Sequence, residues 1–130
     1  FLGISTRGPV TASSYLHAGL AIEGTVAKKV AFMAKGPLLT QYGVPGALTN
    51  PILEIYDVTG SKIHENDSWG TATGDQSILT YDGKPGISQP VDALEAALVV
   101  SLSPGAYTAI LRGTNGVEGI GLIEAYEISD

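Results

Sequence analysis

The side chains in this 130-residue chain that could do chemistry are few, and their spacing identifies no reaction. There are two histidines, His17 and His64, one tryptophan, Trp69, thirteen acidic residues and no cysteine. His64 is followed by Glu65-Asn66-Asp67, the densest run of oxygen donors. A hard cation such as calcium takes six to eight oxygens from carboxylates, amides and carbonyls, so Glu65, Asn66 and Asp67 are candidate metal ligands. The run matches no calcium loop, and a glycine follows only at position 70. Asx turns that order a loop backbone account equally well for Asn66 and Asp67. The expectation is therefore no cofactor, with calcium as the alternative. Trp69, within Asp67-Ser-Trp69-Gly70, is a candidate platform for stacking a sugar ring, and a loop plug is the plainer reading.

General acid–base chemistry needs two carboxyls whose surroundings push their pKa values apart. The pairs on offer, Asp57 with Glu65 and Asp75 with Asp82, have no context that would raise either member. There is no Gly-x-Ser-x-Gly elbow, phosphate loop, dinucleotide fingerprint or His-Glu-x-x-His. The absence of cysteine removes thiolate catalysis, zinc–thiolate sites and disulfides. His17 sits on the polar side of an alternating segment, where a surface or interface imidazole is expected. No catalytic residue is assigned, and the expectation is a protein that is not an enzyme.

The elements that position these residues are predicted to be strands. Seventeen glycines and seven prolines punctuate the chain at short intervals, with β-rich stretches between them. Strands are expected at Phe1–Thr6 (ended by Gly8-Pro9), Tyr15–Glu23, Lys29–Lys35, Ile52–Asp57, Ser61–Glu65, Leu98–Leu102, Ala106–Arg112 and Gly119–Ile128. In the second, Leu16, Ala18, Leu20 and Ile22 share one face, with His17, Gly19, Ala21 and Glu23 on the other. The third is almost wholly apolar, as a strand covered on both faces should be. Thr59-Gly60 makes a hairpin of the fourth and fifth. Short helices are expected at Leu38–Tyr42 and Asp92–Ala97, and Asn66–Gln89 reads as one long loop. About eight strands without alternating helices predict a single all-β domain over residues 1–130, an antiparallel sandwich or jelly roll.

Leu102-Ser-Pro104-Gly105-Ala-Tyr107 is the most specific local motif. Pro104 presets φ at the second position of a turn, and Gly105 supplies the positive φ that a type II turn requires next. Tyr107 then lies two residues further on, where its ring can pack in the core while its hydroxyl reaches back to the backbone. That is a tyrosine corner, and its role is structural.

Only 15% of residues are charged, against about 25% in an ordinary soluble domain. No apolar run approaches the roughly 20 residues of a spanning helix, so membrane insertion is not expected. The low charge points instead to apolar surface covered by a neighbour, that is, a homo-oligomer or homopolymer. The net charge of −6, with seven dispersed Lys and Arg, excludes a nucleic-acid partner. A chain starting at Phe1 fits a processed mature chain or an excised domain.

Several segments, among them Ile4-Ser-Thr-Arg7-Gly8, Tyr42-Gly-Val-Pro-Gly-Ala-Leu48, Asn66-Asp67-Ser-Trp69 and Leu102-Ser-Pro-Gly-Ala-Tyr107, resemble a domain found in secreted proteins of environmental bacteria. From Leu53-Glu-Ile-Tyr-Asp57 to Tyr107 the chain is also similar to bacterial pre-peptidase C-terminal domains, jelly-roll modules attached to secreted enzymes. The resemblance implies an extracellular or cell-surface, non-catalytic module. Some relatives of the second kind bind calcium, collagen or polysaccharide.

Two functions follow as expectations. The first is a self-assembling structural subunit of a surface fibre or matrix, in which Phe1, Leu2 and Ile4 anchor an N-terminal strand added to the sheet of the next copy. The second is an accessory module that binds polysaccharide or protein, with Trp69 and its loop contacting the glycan.

Overall fold

A computed structural model describes residues 3–36, 39, 43, 45–67 and 96–128. Among them the chain forms eight strands: β1 (Gly3–Val10), β2 (Leu16–Ile22), β3 (Lys28–Lys35), β4 (Pro51–Asp57), β5 (Lys62–Asn66), β6 (Ala96–Leu102), β7 (Gly105–Gly113) and β8 (Gly119–Ile128). Sheet 1 has the order β1-β8-β3-β6 and sheet 2 the order β2-β7-β4-β5, with every neighbouring pair antiparallel. The pairs β1·β8, β2·β7, β3·β6 and β4·β5 are those of a long antiparallel ribbon wrapped on itself, so the sandwich is a jelly roll, as expected.

Side chains alternate along each strand, and one face of each sheet forms the common core. Leu20 and Ile22 of β2, Val30 and Phe32 of β3, Leu53 and Ile55 of β4, Leu98 and Val100 of β6, and Leu111 of β7 meet there. Leu48 plugs one end, tied to β8 by Leu48 N–H donating to Ile120 O (2.8 Å) and Ile120 N–H donating to Gly46 O (2.9 Å). The outer faces differ. Sheet 1 carries a second buried cluster there, Ala31, Met33, Ala97 and Val99 with Tyr126 against it. Beside it the Lys35 ammonium lies 2.7 Å from Glu124. The Tyr126 hydroxyl donates to the same carboxylate (2.5 Å), and burial with this bond pushes the phenol up to about 12.

The tyrosine corner is present: Tyr107 O–H donates to Ser103 O at 2.7 Å. It stands where the chain leaves sheet 1 at β6 and enters sheet 2 at β7, so it fastens one sheet to the other. The turn differs in detail from expectation. Gly105 has φ of 153°, not the value of a type II turn, and already belongs to β7.

Two boundaries also move. β1 runs through Gly8-Pro9 to Val10, because proline is tolerated on an edge strand and β1 pairs only with β8. Ala96 and Ala97, expected at the end of a helix, belong to β6 opposite Ala34 and Met33. Tertiary pairing overrides the helix preference of alanine there. Residues 92–95, and all of the Leu38–Tyr42 segment except Leu39, lie outside the described residues.

Candidate functional site

The outer face of sheet 2 is built by alternation. Because Leu53 and Ile55 point into the core, Glu54 points out, and the register sets Glu54 opposite Glu65 on β5 and Ile110 on β7. His17 of β2 continues this row opposite Ile110. Like charges placed directly opposite repel across a ladder, and here two cations separate them. Arg112 Nη2 lies 3.2 Å from Glu54 Oε2 and 3.4 Å from Glu65 Oε1. Lys62 Nζ lies 3.3 Å from Glu54 Oε2 and 2.9 Å from Glu65 Oε2. Tyr56 O–H donates to Glu54 Oε1 at 3.2 Å.

Glu54 is the hub, and it is only 4% exposed. Burial pushes its carboxyl up, but the hydrogen bonds from Arg112, Lys62 and Tyr56, with the charge of Arg112, outweigh burial and hold it below its ordinary value. The same contacts raise Arg112. Glu54 thus stays ionised as a structural anion, and no proton donor is set up beside Glu65.

Next to this network a cavity of about 420 Å³ is lined by Tyr56, Asp57, Val58, Gly60, Ala106, Tyr107, Thr108 and Ile110. Small residues keep the face low around it: Ala106 and Ala21 are exposed, and a Cβ added at Gly19 would meet nothing within 4 Å. The hairpin turn forms one rim. Asp57 Oδ1 accepts from Thr59 N–H (2.9 Å), Thr59 O–H (2.6 Å) and Ser61 N–H (3.1 Å), and Gly60 takes φ of 86°. These bonds, led by that of the Thr59 hydroxyl, hold the Asp57 carboxyl below its ordinary value. At the β2 side of the face Tyr15 is 41% exposed, and His17 Nδ1–H donates to Tyr15 O at 3.0 Å. The arrangement offers an aromatic ring, a threonine hydroxyl and a neutralised ionic network around a shallow depression.

The run Glu65-Asn66-Asp67 does not converge. Glu65 faces outward onto Lys62 and Arg112, whereas Asn66 is buried on the opposite face, its Oδ1 accepting from Ala97 N–H at 3.1 Å. Asp67 is exposed. Among the described residues no group of three His, Cys, Asp or Glu is placed to hold a metal ion. His64 is half-buried on the inner side, and burial lowers its pKa. Asp57 and Glu65 form no carboxyl pair, since each is held by other partners. Trp69, Asp75, Asp82, Phe1 and Leu2 lie outside the described residues. Ile4 packs against the core of its own sandwich.

The residues that sequence reasoning missed are Glu54, Tyr56, Lys62 and Arg112. One signal was there: a glutamate between two core residues of an apolar strand must face outward, and it needs a cation if it is to be covered.

No family model matches the chain, and no curated protein matches it in sequence. Solved structures match it in shape. The pre-peptidase C-terminal domain of collagenase from Bacillus anthracis aligns with a TM-score of 0.52 at 10% identity, over 95% of this chain and 89% of that one. PliG, a periplasmic inhibitor of g-type lysozyme from Aeromonas hydrophila, aligns with a TM-score of 0.51 at 10% identity, over 98% and 87%. What they share is the fold. The expected distant similarity to pre-peptidase C-terminal domains is borne out at that level. Among the described residues no helix is long and apolar enough to cross a membrane.

Proposed function

We propose that the chain is a non-catalytic binding module of an exported protein, taking a polysaccharide on the outer face of sheet 2. The observation that carries this reading is the contrast between the two outer faces. That of sheet 1 buries an apolar cluster and an ion pair. That of sheet 2 leaves open a depression walled by Tyr56, Thr108 and Ile110. An amphipathic ring beside fixed polar groups suits a sugar, whose faces are apolar and whose edges are hydroxyls. Among the solved structures similar in fold, one is a terminal domain of a collagenase and another a periplasmic inhibitor, which supports an accessory rather than a catalytic role and a place outside the cytoplasm.

The test is retention of the purified chain by a panel of soluble and insoluble polysaccharides, for the parent and Tyr56→Ala. At least one polymer should retain the parent, and the variant should bind it about tenfold more weakly, a loss of about 1.4 kcal/mol, while still folded. Failure of every polysaccharide to retain the parent would overturn the reading. Filaments of the chain alone in negative stain would transfer the assignment to the surface-fibre subunit, which draws on the 15% charged composition and on β1 as an edge strand.

A further inference from the structure

Among the described strands the two sheets have four edges: β1 and β6 in sheet 1, β2 and β5 in sheet 2. An exposed edge is a template for another chain unless it is short, charged, bulged or interrupted by proline. β1 contains Pro9 and Arg7, and β5 has five residues, a lysine and a register shift opposite it at Ile55/Tyr56. β6 is buried on both faces over Ala96–Val100. β2 has none of these protections. Its seven residues, Leu16–Ile22, contain no proline and no Asp, Glu, Lys or Arg, and they pair with β7 without a break from Leu16↔Leu111 to Ile22↔Gly105.

We propose that this edge pairs with β2 of a second copy of the chain, antiparallel, about a two-fold axis at Leu20. Side-chain alternation selects the register. A continuous sheet must set core-facing residues opposite core-facing ones, and a slip of one residue would turn Leu20 and Ile22 toward water. Among the registers that remain, an axis at Gly19 places His17 opposite the partner's Ala21, and an axis at Ala21 places it opposite the partner's Thr25. An axis at Leu20 places His17 opposite the partner's Glu23, and by symmetry does so twice. Glu23 is exposed directly after β2 and shares the parity of His17, so both lie on the outer face. His17 already gives its Nδ1–H to Tyr15 O, so it is the imidazolium form of the ring, with Nε2–H as its second donor, that meets the carboxylate. Gly19 then lies opposite the partner's Ala21, so nothing bulky obstructs the seam. The four strands of sheet 2 in each copy join into one sheet of eight, and the two candidate sites share one surface. The contact is isologous and closes at two copies, unlike strand exchange through β1, and it stands whatever the face binds.

The two β2 strands overlap over Ala18–Ile22, a small interface, so the dimer should be weak and concentration-dependent. Sedimentation equilibrium of the full chain in low-salt buffer at about pH 6, from micromolar to millimolar, should show a monomer–dimer equilibrium. Gly19→Lys combined with Ala21→Lys puts like charges opposite each other across the seam and should weaken dimerisation at least tenfold. The space around Gly19 leaves the fold intact, to be checked by circular dichroism. Glu23→Lys should also weaken it, and His17→Glu added to Glu23→Lys should restore it. A chain monomeric at every concentration, a dimer indifferent to the lysines, or a failure of the charge swap to rescue would each overturn the proposal.

Discussion

Replacing Glu54 by glutamine keeps the volume of the side chain and one acceptor oxygen but removes the charge that three donors converge on. A hydrogen bond to a charged group is worth about 1.5–3 kcal/mol, and Glu54 receives bonds from Arg112, Lys62 and Tyr56. Two effects reduce the cost. Arg112 and Lys62 are partly in water, and the substitution relieves the repulsion between Glu54 and Glu65 opposite it. A net loss of about 2 kcal/mol at pH 7 follows. With an unfolding entropy of about 2.1 cal/mol/K per residue, that lowers the melting temperature by about 7 °C. The pH dependence is more diagnostic than the size. The folded-state pKa of Glu54 is depressed below 4.5, so the charge contributes its full stability above that value and loses it as pH falls through the folded-state pKa. Urea titrations at pH 7, 5, 4 and 3 should show the gap between parent and variant constant down to about pH 5 and closing below. A Glu54→Gln protein as stable as the parent at pH 7, or a gap unchanged at pH 3, would refute the reasoning.

Tyr107→Phe deletes the bond to Ser103 O and should cost roughly 0.5–1.5 kcal/mol in thermal or urea unfolding, with no change in secondary structure by circular dichroism. Gly119→Ala should cost roughly 1–3 kcal/mol, because its Cβ would lie 2.7 Å from Leu48 Cα and Leu48 N, backbone atoms that cannot swing aside. Gly19→Ala, whose Cβ meets nothing, should stay within about 0.5 kcal/mol of the parent in the same melts.

How much of this was legible in the sequence depends on what fixes each feature. Gly–Pro punctuation and apolar spacing located all eight strands, because both act within a few residues. The misreadings occurred where a distant partner decides. Pro9 suits a strand only because β1 is an edge, and Ala96 and Ala97 extend rather than coil because β3 lies beside them. The candidate site was the least legible. Glu54, Glu65 and Arg112 are separated in sequence by 11 and 47 positions in the contacts they make, and only the registers of β4 with β5 and of β4 with β7 bring them together. Glu65 and Asn66, adjacent in sequence and for that reason grouped as ligands, point to opposite faces.

The division between a closed sheet and an open one was nevertheless written in the strands themselves. Val30-Ala-Phe-Met-Ala34 of β3 and Ala96-Ala-Leu-Val-Val100 of β6 are apolar at every position, the pattern of strands buried on both faces. β2 alternates buried and exposed residues from His17 to Ile22, and β7 alternates in the same way from Ala109 to Gly113, the pattern of strands with one wet face. The jelly-roll pairing sets like beside like, β3 against β6 and β2 against β7. Each sheet therefore takes on the character of that pair, and sheet 2 is left as the one with an open outer face. Covering that face with one wide apolar side chain would fill the depression beside Tyr56 without touching the core. Tyr56→Ala on one side of β4 therefore probes the proposed binding, together with the loss of one donor to Glu54, whereas Leu53 and Ile55 on the other side hold the core.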